Sequence, residues 1–414
     1  MPKEDIGHAD IPQMEGLPLM TRSFSLKRFL AVLTILMGST MTVMAGATIS
    51  PALPEMSAHF QDAPDSEFLV KLILTIPSLA VALTAPFMGV LLDKWGRKPV
   101  LVLALLLYGT AGSAGFVLDS IYAILVSRAL LGLSVAGIMS GFTTLIADNY
   151  EGPMLSRVMG AQGAFTGFGG VVFLIAGGLL ADVGWQYPFL VYLTAFAVLP
   201  GLLFFIREPR LERQRDEKAS PETRRALRKW LILAYGTAFF VMVIFYMVPV
   251  QIPFYLQAIA DVSNAQVGVA IAVMTLFSAI TATQYSRLKG DRGFRRIFTI
   301  IFMIMAMGYA VIAFADGYYS VMAGLAVFGL GMGFLVPNMN VWLTSFVPAN
   351  VRGRAFGLLA TAFFLGQFFS PIFSQPLVGE VGISRSFLVA AAILFLAAFL
   401  FGSMRYVGKN RDSR

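Results

Sequence analysis

Gly89-Val-Leu-Leu-Asp93-Lys94-Trp95-Gly96-Arg97-Lys98 is a short charged stretch between two apolar runs, near 68–91 and 99–118. Each run holds about 20 residues, enough to cross roughly 30 Å of hydrocarbon as a helix. The stretch therefore reads as a tight, glycine-containing hairpin between two membrane helices, held on one side by its cations. The pattern returns 197 positions later as Ser286-Arg287-Leu288-Lys289-Gly290-Asp291-Arg292-Gly293-Phe294-Arg295-Arg296, with Leu91 on Leu288 and Gly96 on Gly293. The same offset pairs Asp119 with Asp316, Tyr122 with Tyr319, Gly132 with Gly329, Arg157 with Arg354, Gly160 with Gly357 and Gly169 with Gly366. Shared apolar composition does not align loop glycines, arginines and aspartates at one register, so the chain carries an internal repeat.

Working outward, twelve apolar runs can be placed. Six lie near 30–50, 68–91, 99–118, 122–147, 157–181 and 187–206, and six near 230–256, 266–286, 297–315, 318–346, 355–378 and 386–404. Hydrophobic residues make up 57% of the 414 and charged residues 13%, against roughly 45–50% and about 25% in soluble domains. So few charges cannot cover a water-facing surface, and continuous apolar runs exclude a transmembrane barrel, whose strands alternate. Cysteine is absent and the two histidines, His8 and His59, lie outside the runs. Disulfides, thiolate metal sites and intramembrane histidine relays are excluded.

Charge sets the orientation. With the N-terminus inside, the inner segments hold 28 of the 31 Lys and Arg, leaving Lys71, Arg128 and Arg385. The outer connections carry Asp62, Asp65, Glu67, Asp119, Asp182, Asp261, Asp316 and Glu380. Both termini are therefore expected in the cytoplasm, and the net charge of +8 follows from membrane topology, with no nucleic-acid partner. The expected organisation is a cytoplasmic tail (1–28), a six-helix bundle (29–206), a charged central loop (207–229), a second bundle (230–405) and a short tail (406–414). The central loop is expected to be partly helical on the inner membrane surface, among lipid headgroups. The fold expected is all-α, with twelve transmembrane helices in two parallel six-helix repeats. Such repeats are a transporter architecture, with the substrate site at their interface and alternating access by rocking.

The opening stretch resembles the G-x-L-x-D-x-x-G-R-K/R loop of the major facilitator superfamily. The resemblance covers essentially the whole chain, through twelve spans, two repeats and a charged central loop. It implies that Asp93 approaches the N-terminal end of span eleven, where a helix dipole favours an anion, and that Arg97 meets Asp148 at the inner end of span four. Together with Gly96 these would join the two halves on the inner side as a latch for the outward-open state. From its residues alone the loop is an orientation anchor.

Span four begins Ser127-Arg128-Ala-Leu-Leu-Gly132, similar to the family's R-x-x-x-G motif. Arg128 sits about 9 Å inside the outer end, counting 1.5 Å per residue from Tyr122. It either snorkels outward or serves proton movement or an anionic substrate. In span five Gly160, Gly163, Gly167 and Gly170 share one face, a packing or sliding surface. The following Phe173-Leu174-Ile-Ala-Gly177-Gly178 lacks the Gly-Pro of the family's drug-antiporter signature, a departure from that branch.

None of the 23 acids lies near the middle of a span, and Glu55, at the outer end of span one, is the coupling candidate. In the family the cavity is lined by spans one, four, seven and ten. That implies Met44, Thr143, Phe245, Tyr246, Gln251, Asn338, Asn340 and Trp342, with Gln162 and Gln367 from spans five and eleven. Amides beside aromatics and methionines suit an amphiphilic substrate. Pro249 and Pro253 in span seven and Pro337 in span ten are expected to break their helices. The chain is thus expected to be a monomeric inner-membrane transporter, moving a small organic molecule by proton-coupled export and needing no cofactor beyond the proton gradient. The alternative is an organic-anion carrier using Arg128 as counter-charge. A non-transporting receptor or scaffold is the third class, and no catalytic constellation supports an enzyme.

Overall fold

Every regular element is helical among the residues that this computed structural model describes, which are 26–206, 208, 221–348 and 351–403. Span one is α1 (Leu26–Ala47) and α2 (Leu53–His59), joined through a 3-10 turn at Ser50–Ala52. Spans two to five are α3 (Ser66–Trp95), α4 (Arg97–Ser113), α5 (Ile121–Asn149) and α6 (Gly152–Ala181). Span six is a 3-10 run, Tyr187–Leu193, leading into α7 (Thr194–Phe205). The second half opens with span seven, α8 (Pro221–Phe245) and α9 (Met247–Ile259), then α10 (Asn264–Thr283) and a short α11 (Tyr285–Lys289). It closes with α12 (Phe294–Ala313), α13 (Tyr318–Phe346), α14 (Arg352–Val381) and α15 (Ile383–Ser403).

These elements make twelve stretches long and apolar enough to cross a membrane. Large apolar side chains such as Phe87, Phe204 and Phe399 stand exposed on their outer surfaces, where lipid would cover them. The tails expected over 1–28 and 406–414 and the central loop lie largely outside the described residues. Where description resumes, α8 already begins at Pro221, inside the stretch read as loop.

Each half buries its own apolar core. Leu174 of α6 reaches into the second core, and Val250 of α9 into the first. One face of the molecule carries Lys94, Arg97, Arg287 and Arg352 at its helix ends and is called the basic face below; the other, with Glu55, Asp119, Asp182 and Asp316, is the acidic face.

Proline places the breaks of spans one and seven, while other prolines ride inside continuous helices, among them Pro77 and Pro86 in α3, Pro200 in α7 and Pro371 and Pro376 in α14. Span one breaks at Thr48–Ile49 ahead of Pro51, and span seven at Tyr246 ahead of Pro249. In each case the ring excludes the carbonyl four residues back. By contrast, α9 runs through Pro253 and α13 through Pro337 unbroken, which corrects the expectation of a break at those two residues. In a membrane helix, neighbouring helices and small local adjustments re-satisfy the backbone groups that the ring frees, so the helix can continue.

Candidate functional site

The interface between the halves changes along its length, and the glycines of α6 measure the change. A methyl carbon added at Gly178 would lie 2.5 Å from the Asn264 carbonyl oxygen of α10, and one at Gly268 would lie 2.5 Å from that of Leu174. Further along, such a carbon at Gly170 would be 3.3 Å from Thr275 and one at Gly167 3.5 Å from Ala279, while at Gly163 and Gly160 it would meet nothing within 4 Å. The second seam behaves alike. Toward the acidic face α3 and α14 are joined by Lys71 with Gln375 and by Ser78 Oγ donating to Gln367 Oε1 at 2.8 Å. Toward the basic face Gly89, Gly353 and Gly357 face open space. The halves are thus sealed at the acidic face and splayed at the basic face.

Helix ends and freed backbone groups build the seal. Ser263 caps α10 in a capping box with Gln266, its hydroxyl accepting from the Gln266 N–H. That leaves the first two N–H groups of the helix without intrahelical partners. Asp182, at the end of α6 in the other half, takes both: its Oδ1 accepts from Asn264 N at 2.7 Å and from Ala265 N at 3.3 Å. Glu55 Oε2 accepts from the Asn264 side-chain amide at 3.3 Å, so two carboxylates of the first half converge on one helix N-terminus of the second. The broken helices also meet at their breaks. Pro253 has no N–H to offer the Pro249 carbonyl, and Ser50 Oγ donates to that freed oxygen at 2.6 Å. Tyr246, at the break of span seven, packs against the first core. A methyl on Gly46 would come within 2.7 Å of its hydroxyl.

At the basic face, Gly96 turns the chain at φ +92°, a conformation glycine adopts freely. Arg97 then donates from Nε to Asp148 Oδ2 at 3.0 Å and from Nη1 to the Leu92 carbonyl at 3.0 Å, with Asp93 Oδ1 3.1 Å from Nη1. Glu208, which the sequence reading missed, accepts from the backbone N–H groups of Arg97 and Lys98 at 2.6 and 2.7 Å and so caps α4. One expectation needs correcting. The Arg97–Asp148 pair joins α4 to α5 within the first half, so it does not link the halves. In this splayed state Asp93 is two-thirds exposed and paired only with Arg97 among the described ion pairs.

The remaining expected residues divide into groups. Gln162 Nε2 donates to Ser39 Oγ at 3.0 Å and reaches Thr143 Oγ1 at 3.4 Å, a polar cluster on α6, α1 and α5 near the splayed end. Tyr246 and Gln367 belong to the seal. Phe245 is half-buried against Phe328 and Tyr246, and Asn340 is half-buried in α13. Met44, Gln251, Asn338 and Trp342 are buried in this state. Gln251 donates to Ser374, Asn338 accepts from Tyr285, and Trp342 packs edge-on to Phe298.

Arg128 is fully buried rather than snorkelling. Its Nη2 donates to Tyr192 Oη at 2.6 Å and its Nη1 to the Gly112 carbonyl at 3.3 Å, while the guanidinium lies over the Tyr192 and Phe189 rings. Tyr192 in turn donates to the Ala45 carbonyl at 3.1 Å, so Arg128 props span one just ahead of its break. Its Nε has no partner, and no carboxylate pairs with it among the described residues. The four described ion pairs (His59–Asp119, Lys71–Glu67, Arg97–Asp93 and Arg97–Asp148) all lie within the first half.

The fold and the sequence both have counterparts. The solved structure of a D-xylose–proton symporter superposes with a TM-score of 0.73 at 15% identity, covering 91% of this chain and 97% of that one. Among curated proteins, the multi-drug resistance efflux pump PmrA of Streptococcus pneumoniae is 25% identical over 375 residues, 85% of this chain and 92% of its own length. The class C tetracycline resistance protein of Escherichia coli is 26% identical over 366 residues, 83% of this chain and 88% of its own. The family model described as the Major Facilitator Superfamily matches residues 35–262 and again 234–413. With both repeats matched and the fold shared, the chain belongs to the major facilitator superfamily and is a multi-pass membrane transporter.

Proposed function

We propose that this transporter exports a small amphiphilic organic molecule across the inner membrane, driven by proton entry. The basic face, with both termini and the central loop, is then cytoplasmic, and the structure is the inward-open state of a monomer. The observation that carries the reading is the asymmetric interface, sealed by Asp182, Glu55 and Ser50 at one face and splayed at the other, as alternating access requires. Relatives named as efflux pumps and resistance proteins support the direction of transport.

Substrate would enter from the cytoplasmic leaflet or cytosol beside Thr143 and Gln162 and meet Phe245, Tyr246 and Gln367 at the bottom of the opening. Closing the basic face would bring Asp93 to the N-terminus of α14, with Arg97 and Asp148 holding the loop in shape. Glu55 is the proposed proton carrier, because opening the acidic face moves its carboxylate from the seal into water. Arg128 acts by supporting the break of span one.

Efflux of a lipophilic cationic dye from cells making the protein tests the reading. Energised efflux that a protonophore abolishes is expected. Absence of efflux from cells with well-inserted protein rejects cation export and points to the organic-anion carrier, to be sought with acidic metabolites in proteoliposomes.

A further inference from the structure

Lys71 is a buried charge that neither the loop, the proposed coupling step nor the support of span one uses. It lies on α3 in the acidic-face half of the membrane and is fully buried. A lysine near a helix end ordinarily runs its stem toward water, and here Glu67, one turn closer to the face, marks that direction. Lys71 Nζ does pair with Glu67 Oε1 at 2.6 Å, but it does not end in solvent. Gln375 of α14 accepts a second hydrogen bond from it, and the ammonium stands 4.4 Å from the centre of the Phe254 ring of α9. Both of these partners belong to the other half of the molecule.

We infer that Lys71 is a positioning residue for transport, clamping the acidic face shut by gripping Gln375 and Phe254 across the interface. The arrangement has a mechanical logic. An ammonium buried with only its counter-ion leaves donors unsatisfied, and the second half supplies the missing acceptor and a π-face. When the face opens, Lys71 gives up an amide and a ring while keeping Glu67 on its own helix. Water then replaces the neutral ligands, so no opposite charges are pulled apart. Asp182 and Ser50 hold the α6–α10 and span one–span seven contacts, whereas Lys71 holds the α3–α14 seam together with the Ser78–Gln367 bond.

The inference rests on the alternating-access reading above, and the test separates the two. The chain has no cysteine, so a single reporter can be introduced without background. Thr75 is fully buried one turn from Lys71 and its hydroxyl is bonded only within its own helix. In the Thr75→Cys protein, alkylation by an impermeant maleimide added at the acidic face reports opening. Adding Lys71→Gln, or separately Gln375→Leu, should speed labelling about tenfold, the scale of one charge-assisted hydrogen bond. Lys71→Arg should restore slow labelling. Asp182→Asn in the same background is the reference for opening by another route. If it speeds labelling while Lys71→Gln and Gln375→Leu do not, Lys71 is a passive buried residue and the inference is wrong. If none of the three changes the rate, both the clamp and the alternating-access reading fall. Gln375→Leu leaves the buried charge and its counter-ion on α3 in place, so the test survives a Lys71→Gln protein that does not fold.

Discussion

Adding one methyl group at Gly178 should shift the conformational balance of the whole protein. In the present state that carbon would sit 2.5 Å from the Asn264 carbonyl oxygen and 2.9 Å from the Ala265 Cα, both backbone atoms. Ordinary contact begins near 3.4 Å, so α6 and α10 must part by about 0.9 Å, the difference between the two distances, to admit it. The same displacement would stretch the Asp182–Asn264 bond from 2.7 Å to about 3.6 Å, beyond hydrogen-bond range. Strain of roughly 1–3 kcal/mol and about 1 kcal/mol for the lost bond fall on the sealed state alone. A net bias of at least about 2 kcal/mol, or nearly 30-fold, toward the outward-open state is expected. Spin labels on cysteines at Ser156 and Ser286, both exposed across the basic mouth, read the distribution directly. Gly178→Ala should add a short-distance population. Gly379→Ala is the control, because it makes the same exchange in a helix at the acidic face with nothing within 4 Å. Each exchange stabilises its helix by about 1 kcal/mol, so the difference isolates the clash. Identical distance distributions for the two variants would refute the packing argument.

Asp93→Asn should lower transport several-fold in a folded, inserted protein, because the anion that would meet the α14 N-terminus is gone; normal turnover would remove the latch. Arg128→Ala should lower the unfolding temperature in detergent by opening a cavity beside Tyr192, at a cost of about 2–4 kcal/mol. Arg128→Met fills most of that volume without the charge, and full transport by this variant would exclude an electrostatic role. Glu208→Ala should cost about 1 kcal/mol as a lost cap, read as faster amide exchange in the first turn of α4; unchanged exchange there would show that the cap is idle.

The membrane fold was legible because hydropathy and a gap-free repeat both report on the backbone period and on the solvent each helix faces. The Asp93–Arg97 loop was legible because its residues are adjacent in sequence. The acidic-face seal was not, since Asp182 and Asn264, or Lys71 and Gln375, meet only through the folded interface. One local signal did exist: the Ser263–Gln266 capping box marks where α10 must begin and hence where free N–H groups await an anion. Gln251, Asn338 and Trp342 are buried in this state, and the sequence does not tell a cavity-lining amide or aromatic residue from one satisfied by protein partners. Hydropathy does not record which way a helix is turned. Pro253 and Pro337 show the same limit, as a proline inside a membrane helix breaks it or not according to what its neighbours supply.

The confinement of the four described ion pairs to the first half has a consequence for the environment the protein can tolerate. Separating opposite charges across a moving interface would tie the position of the rocking equilibrium to ionic strength, since mobile ions screen such pairs within about 10 Å at 0.1 M salt. Here the moving seam is built from hydroxyls, amides, glycine backbones, the Lys71 ammonium on neutral ligands and carboxylates facing a helix N-terminus, so no opposite side-chain charges part when it opens. The position of the rocking equilibrium should therefore follow the saltiness of the solution at the acidic face less steeply than a seam of parting ion pairs would.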